Sequence, residues 1–188
     1  MLATGVDAIF VGFDVSVNML RTGKLNVDTS RVNLVAADGF KMPLRSEARF
    51  DLIHMDSVLH HLVGKTKAKS LLLANVFCEQ ILQQLSEKGT VVVEEVYYVS
   101  HFVPKLTSSL IFYGLKILNF LHLDASGIVS ELLPGLEVNF FSDKEIEKLL
   151  GTYGRVQLIK KNPWPTPKLY RLLLLKNIGH ISYMVTPT

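Results

Sequence analysis

Short, almost wholly apolar runs recur along this chain, separated by stretches with helical spacing, and that alternation constrains the fold more than any other feature. AIFVGF at Ala8–Phe13, the run around Val32–Ala36, FDLIHM at Phe50–Met55 and TVVVEEV at Thr90–Val96 are all of strand length. Continuous apolar runs suit strands covered on both faces. The pattern predicts an α/β fold: a Rossmann-like, mostly parallel sheet with helices on both faces and an antiparallel strand toward the C-terminus. These four strands are expected in one mixed sheet, with Asp14, Asp38, Asp56 and Glu95 at a common edge.

The intervening stretches carry helix signals. Ser16 is a plausible N-cap for a helix with Val17, Met19 and Leu20. A long helix over about Thr66–Ser86 is expected to bury Leu72, Val76, Leu82 and Leu85 or their neighbours, with Gly89 as its stop. Ser142-Asp143-Lys144-Glu145 has the chemistry of a capping box. Strands near Val156–Lys160 and Leu169–Leu175 flank Pro163, Pro165 and Pro167, and Ile181–Val185 reads as a closing hairpin strand.

At 188 residues and 48% hydrophobic content the chain has the size of one domain with a sizeable core, so a single domain over 1–188 is expected. The formal charge is only +3 and no dense basic run accompanies it, which argues against nucleic acid as a partner. Lys65, Lys67 and Lys69 read as a solvated helix start. The one cysteine, Cys78, forms no internal disulfide and sits among Leu71, Leu72, Phe77, Ile81 and Leu82, as a buried structural thiol does. With no secretion signal at the N-terminus, a cytoplasmic location is expected. The apolar stretch Leu106–Leu123 is broken by Lys116, Asn119 and His122, against a membrane span.

In open α/β sheets ligands bind beyond the carboxyl ends of the strands, which gives weight to Asp14, Asp38, Asp56 with Ser57, and Glu94 with Glu95. A carboxylate such as Asp14 matches the spacing of a ribose diol; it serves equally as a helix cap, and nicotinamide-cofactor folds use the same device. Asp38 suits an exocyclic adenine amine or, alternatively, an Asp-Gly turn with Gly39. Glu94 and Glu95 rank below Asp56, Glu95 being a further candidate base, and a solvated or lysine-paired carboxylate is the plain alternative for both. His60 and His61 stand either as proton-accepting groups or as one surface and one core histidine.

Taken in order, GFDVSVNML at Gly12–Leu20, AADGFKMPL at Ala36–Leu44, FDLIHMDSVLHHL at Phe50–Leu62 and LSEKGTVVVEE at Leu85–Glu95 resemble successive cofactor-site segments of class I S-adenosylmethionine-dependent methyltransferases of the type 11 kind. The resemblance implies S-adenosyl-L-methionine as cofactor, with Asp14 on the ribose and Val15 and Met19 beside the adenosine. It further implies Asp38 on the adenine amine, Gly39 and Phe40 lining the base, and Asp56 and Ser57 toward the methionine portion. Asp56, His60 and His61 become the candidate catalytic groups, and no metal is implied.

Such enzymes carry a first strand and a glycine-rich turn ahead of the ribose acid, whereas only Met1–Asp7 precede β-type sequence here. The resemblance therefore leads us to expect a truncated sheet lacking its first, central strand, a gap that a partner chain would be able to fill, and weak cofactor binding by the chain as it stands. An insertion at about 97–139 holds an amphipathic helix with Leu106, Leu110, Ile117 and Leu121 on one face and Ser108, Ser109, Lys116, Asn119 and His122 near the other. With Phe102, Phe112, Tyr113 and Phe120 this reads as a lid over a lipophilic small-molecule acceptor, a membrane-surface contact, or ordinary core packing. The function expected is methyl transfer to such an acceptor. The alternatives are a non-catalytic interaction domain on a degenerate methyltransferase fold and, third, a nucleotide-cofactor oxidoreductase.

Overall fold

The computed structural model describes residues 8–27, 30–123, 137–165 and 174–187. The chain divides into two compact units, Met1–Ala48 and Arg49–Thr188.

In the first unit β1 (Phe10–Asp14) and β2 (Val32–Ala36) form a two-stranded parallel sheet, joined through α1 (Val17–Lys24). The expected cap is present: Ser16 Oγ accepts the Met19 N–H at 3.3 Å. The register pairs Phe10 with Val32 and Asp14 with Ala36. The expectation of a strand covered on both faces fails for β1, since no described residue of this unit is buried. A ladder of two strands with one short helix has too little apolar surface to enclose any of its members.

The second unit holds a five-stranded sheet of order β3-β4-β7-β6, with β5 pairing β4. Its elements are β3 (Phe50–Asp56), α2 (Lys67–Leu82), β4 (Leu85–Ser100), α3 (Pro104–Phe120), β5 (Phe141–Ser142), α4 (Asp143–Gly151), β6 (Arg155–Pro163) and β7 (Leu175–Thr186). The β3–β4 and β4–β5 pairs are parallel, and β7 runs antiparallel to both β4 and β6. The antiparallel C-terminal strand is thus found, as one twelve-residue strand in place of the hairpin expected at Ile181–Val185. Most of the run expected as a strand at Leu169–Leu175 lies outside the described residues.

The single mixed sheet expected is corrected to two sheets, because among the described residues neither β1 nor β2 shares a ladder with β3 or β4.

Strand β4 organises the core. Val91, Val93 and Tyr97 are buried on one side, where Val91 lines a small cavity together with Cys78 and Ile81 of α2, Leu150 of α4, and Met55 and Val185 of the neighbouring strands. Val96 and Tyr98 point the other way, into a cluster with Val138, Phe140, Leu175 and Ile178 on which Ile111, Leu115 and Trp164 pack. The period-two alternation of a strand thus places helices on both faces.

Two local expectations shift. Helix α2 is capped by Thr66, whose side chain accepts from Lys69 N, and it buries Ser70, Ala74, Phe77, Cys78 and Ile81, leaving Leu72 and Val76 exposed. Gly89 lies inside β4 and stops no helix. There the register jumps from Phe50–Leu85 to Leu52–Thr90, and a Cβ on Gly89 would sit 2.9 Å from the Phe50 carbonyl oxygen and 2.6 Å from Leu85 Cγ. The close backbone approach at the bulge explains the glycine.

Candidate functional site

The first unit presents its polar residues at the carboxyl ends of β1 and β2. Asp14 closes β1, its Oδ1 accepting the Ser16 N–H at 2.6 Å while its carbonyl accepts the Ala37 N–H at 3.1 Å. Asp38, two residues past β2, accepts the Phe40 N–H on Oδ1 at 2.9 Å and turns the chain through Lys41 N–H to its own carbonyl at 2.8 Å. Both carboxylates therefore make the local turn bonds expected of Asx residues, and both lie at one end of the parallel pair. In each case Oδ2 has no protein partner among the described residues. Beside Asp14 stand the exposed side chains Val15 (79%) and Met19 (63%), and Gly39 and Phe40 follow Asp38 directly. Two acceptor oxygens with apolar side chains next to them suit a sugar diol and a flat base; the residues present fit the adenosine half of the cofactor.

In the second unit β3 ends at Asp56, paired in register with Glu94. Asp56 is exposed and accepts the Ser57 hydroxyl at 2.9 Å, and Ser57 takes a left-handed φ of 56° while donating its N–H to the Glu94 carbonyl at 2.9 Å. A non-glycine residue held there costs about 1–3 kcal/mol and persists because the ladder fixes it.

A 3-10 turn over Leu59–His61 follows, anchored by Glu95. Glu95 Oε2 accepts the backbone N–H groups of Leu59 (2.7 Å) and His60 (3.3 Å), and Oε1 accepts Val96 N–H (2.8 Å) and meets His60 Nδ1 at 2.5 Å. Both side chains are wholly buried. The alternative of a solvated or lysine-paired Glu95 fails: three amides and an imidazole replace water around the carboxylate. Glu94, the next residue back, does face outward, with His54 Nε2 3.4 Å from its carboxylate.

The two histidines separate. His61 is exposed and its ring lies 4.1 Å from that of His60, whereas His60 packs against Phe140 with ring centroids 5.6 Å apart and its Nε2 is buried with no partner among the described residues. Asn139, whose N–H donates to the His60 carbonyl at 2.7 Å, likewise buries a side-chain amide that has no partner among the described residues.

Sequence reasoning did not single out the polar group around Tyr98. Lys67 Nζ lies 2.9 Å from Glu145, which accepts from the Ser142 N–H at 2.8 Å in the expected capping box, and Tyr98 Oη is 3.5 Å from both Lys67 and Glu145. Lys67 is thus paired, contrary to its reading as part of a solvated helix start. Burial, with the Glu145 charge beside it, pushes the Tyr98 phenol up. Only the capping box was readable from spacing; Lys67 and Tyr98 meet it through tertiary packing alone.

The family described as "Methyltransferase domain" matches residues 1–94, which is 94 of 188 residues. The chain belongs to this family. No curated protein matches its sequence. Among solved structures it is similar to DhpI in its complex with SAH, at 14% identity and a TM-score of 0.55 over 96% of this chain and 66% of that one. YcgJ from Bacillus subtilis matches at 14% identity and 0.55 over 95% of this chain and 82% of that one. LepI in complex with SAM matches at 10% and 0.52 over 97% of this chain. At these identities the likeness is one of fold, and the chain spans only 37% of the length of LepI.

Proposed function

We propose that this chain is an S-adenosyl-L-methionine-dependent methyltransferase domain that methylates a small, lipophilic acceptor. The observation that supports it best is the pair Asp14 and Asp38 at one end of β1–β2, each with an oxygen left over after its turn bond, next to exposed Val15 and Met19. In this reading Asp14 Oδ2 accepts the ribose hydroxyls, Asp38 Oδ2 accepts the adenine amine, and Val15, Met19, Gly39 and Phe40 cover the base. The cofactor, when bound, supplies an electrophilic methyl group, so the protein's work is positioning and exclusion of water. Asp56 and exposed His61 are the groups at the end of β3 that take a proton if the acceptor must lose one, and Glu95 holds buried His60 and the turn that carries His61. The inserted segment around α3, apolar and placed after β4, is the acceptor-side lid.

Calorimetric titration of the folded chain tests this. S-adenosylmethionine and its demethylated product bind, and Asp14→Ala weakens both by about 1–3 kcal/mol through the lost charge-assisted bonds. A folded chain that gives no binding heat with either ligand points instead to an interaction domain on a degenerate methyltransferase fold, a reading favoured by the finding that none of the described residues around β1 and β2 is buried.

A further inference from the structure

Helix α3 is apolar on its outward side as well as its inward one. Its inward side carries Thr107 and Ser108, both buried, with Phe112, and Ile111 and Leu115 packed on the β4 cluster. Thr107 Oγ1 and Ser100 Oγ lie 2.7 Å apart. The outward side shows Leu106 (47% exposed), Leu110, Tyr113, Ile117 (59%) and Phe120 (82%), spaced by four, three, four and three residues and therefore on one line. Phe102 and Val103 extend the line before the helix and Leu121 and Leu123 after it, all at least half exposed. The result is an apolar stripe about 25 Å long, at about 1.5 Å of rise per residue. A stripe of this kind is costly to leave in water and marks a surface that meets something apolar.

Charge identifies the partner. Between Val96 and Leu123 there is no Asp or Glu, although the whole chain carries 17. Lys105 and Lys116, eleven residues and three turns apart, fall on one line along the flank of the stripe. Lys116 crosses the Phe112 ring at 5.2 Å and lies 3.9 Å from Glu137, keeping its stem along the apolar surface and its ammonium at the edge. Lys105, exposed at the start of the helix, and Lys116, at the edge of the stripe beside Glu137, give this face a positive flank that anionic headgroups complement. Among the described residues no helix is long and apolar enough to cross a membrane, so the contact is in plane.

We propose that the outer face of α3 docks in the interfacial region of an anionic lipid bilayer, with Leu106, Leu110, Tyr113, Ile117 and Phe120 in the acyl boundary and Lys105 and Lys116 at the headgroups. The proposal goes beyond methyl transfer and does not depend on it, since it is read out by lipid binding alone. The test is co-sedimentation of the full chain with phosphatidylcholine vesicles and with vesicles containing phosphatidylserine. The chain partitions onto the anionic vesicles, less so in high salt, and Leu110→Ser with Ile117→Ser lowers the partition coefficient by about tenfold or more. Because both side chains are exposed, the double variant keeps the circular dichroism spectrum and melting temperature of the parent, and Lys105→Gln weakens binding to anionic vesicles only. Failure of the parent chain to bind either vesicle overturns the proposal. So does equal binding by the double variant, or a dimer in lipid-free sedimentation that the double variant abolishes, which would assign the stripe to a second copy.

Discussion

Glu95 and His60 show how one residue is legible by type and not by role. An acid at a strand end is visible in sequence; that this one faces inward is decided by β4, where burial on both faces begins at that residue. Its carboxylate has four nitrogen partners and no exposed surface. Glu95→Ala strands three amides and an imidazole nitrogen away from water, and we expect a loss of about 3–5 kcal/mol in urea unfolding. Glu95→Gln keeps the shape but sets an amide donor against donors, so it recovers only part of that loss; a drop below about 1 kcal/mol for the alanine variant would mean the turn is held by packing. Cys78 behaves as the helix pattern indicates. Burial pushes its thiol up to about 12 from an ordinary 9.0. It should therefore resist alkylation in the folded chain and react at once in denaturant. The sign for stability follows from the same shift: the folded thiol keeps its proton where the unfolded one loses it. Its contribution is complete below about pH 9 and fades as pH rises toward 12, and burial of the Tyr98 and Tyr183 phenols acts in the same direction. Melting temperature should fall with pH above 9, and an alkaline plateau would contradict the assignment.

At the scale of elements, periodicity located most helices and strands but not always the face each one buries. The strands at Val32–Ala36 and Phe50–Met55 and the caps at Ser16 and Ser142 appear essentially where spacing put them, because strand length and capping are local. Helix α2 is apolar around most of its circumference, so its core stripe is chosen by packing on β4 and settles on Ala74, Cys78 and Ile81 in place of Leu72 and Val76. Helix α3 has apolar residues on two sides: the face readable at Leu106, Leu110, Ile117 and Leu121 points outward, while Phe112, grouped in sequence with Phe102, Tyr113 and Phe120, is buried and Ile111 and Leu115 pack on the core. Periodicity identifies a face without saying what covers it. Gly89 was visible as a breaker, yet what it breaks is the β3–β4 register.

For the whole molecule, the parts of the candidate site legible in sequence, Asp14 and Asp38, belong to the unit with the least packing. Its ladder is five residue pairs long and none of its described residues is buried, whereas β4 is paired on both edges and carries Val91, Val93, Val96 and Tyr97 at 2% exposure or less. Local stability follows buried apolar contact, so the two units should not open together. Amide hydrogen exchange under native conditions should find β4 and β7 amides exchanging only through global unfolding and those of β1 and β2 through openings several kcal/mol cheaper, on the order of the difference between a mobile segment and a core strand. S-adenosylmethionine added at 100 times its dissociation constant should then slow exchange in β1, β2 and the Asp38–Phe40 turn by about 2.7 kcal/mol, the linkage expected of a ligand that binds only the closed form. Protection gained there and not in β6 would tie the cofactor to the strand ends that carry the two carboxylates. Uniform protection without ligand would mean that β1 and β2 draw stability from contacts other than their own ladder, and a gain confined to β4 and β7 would move the cofactor site away from Asp14 altogether.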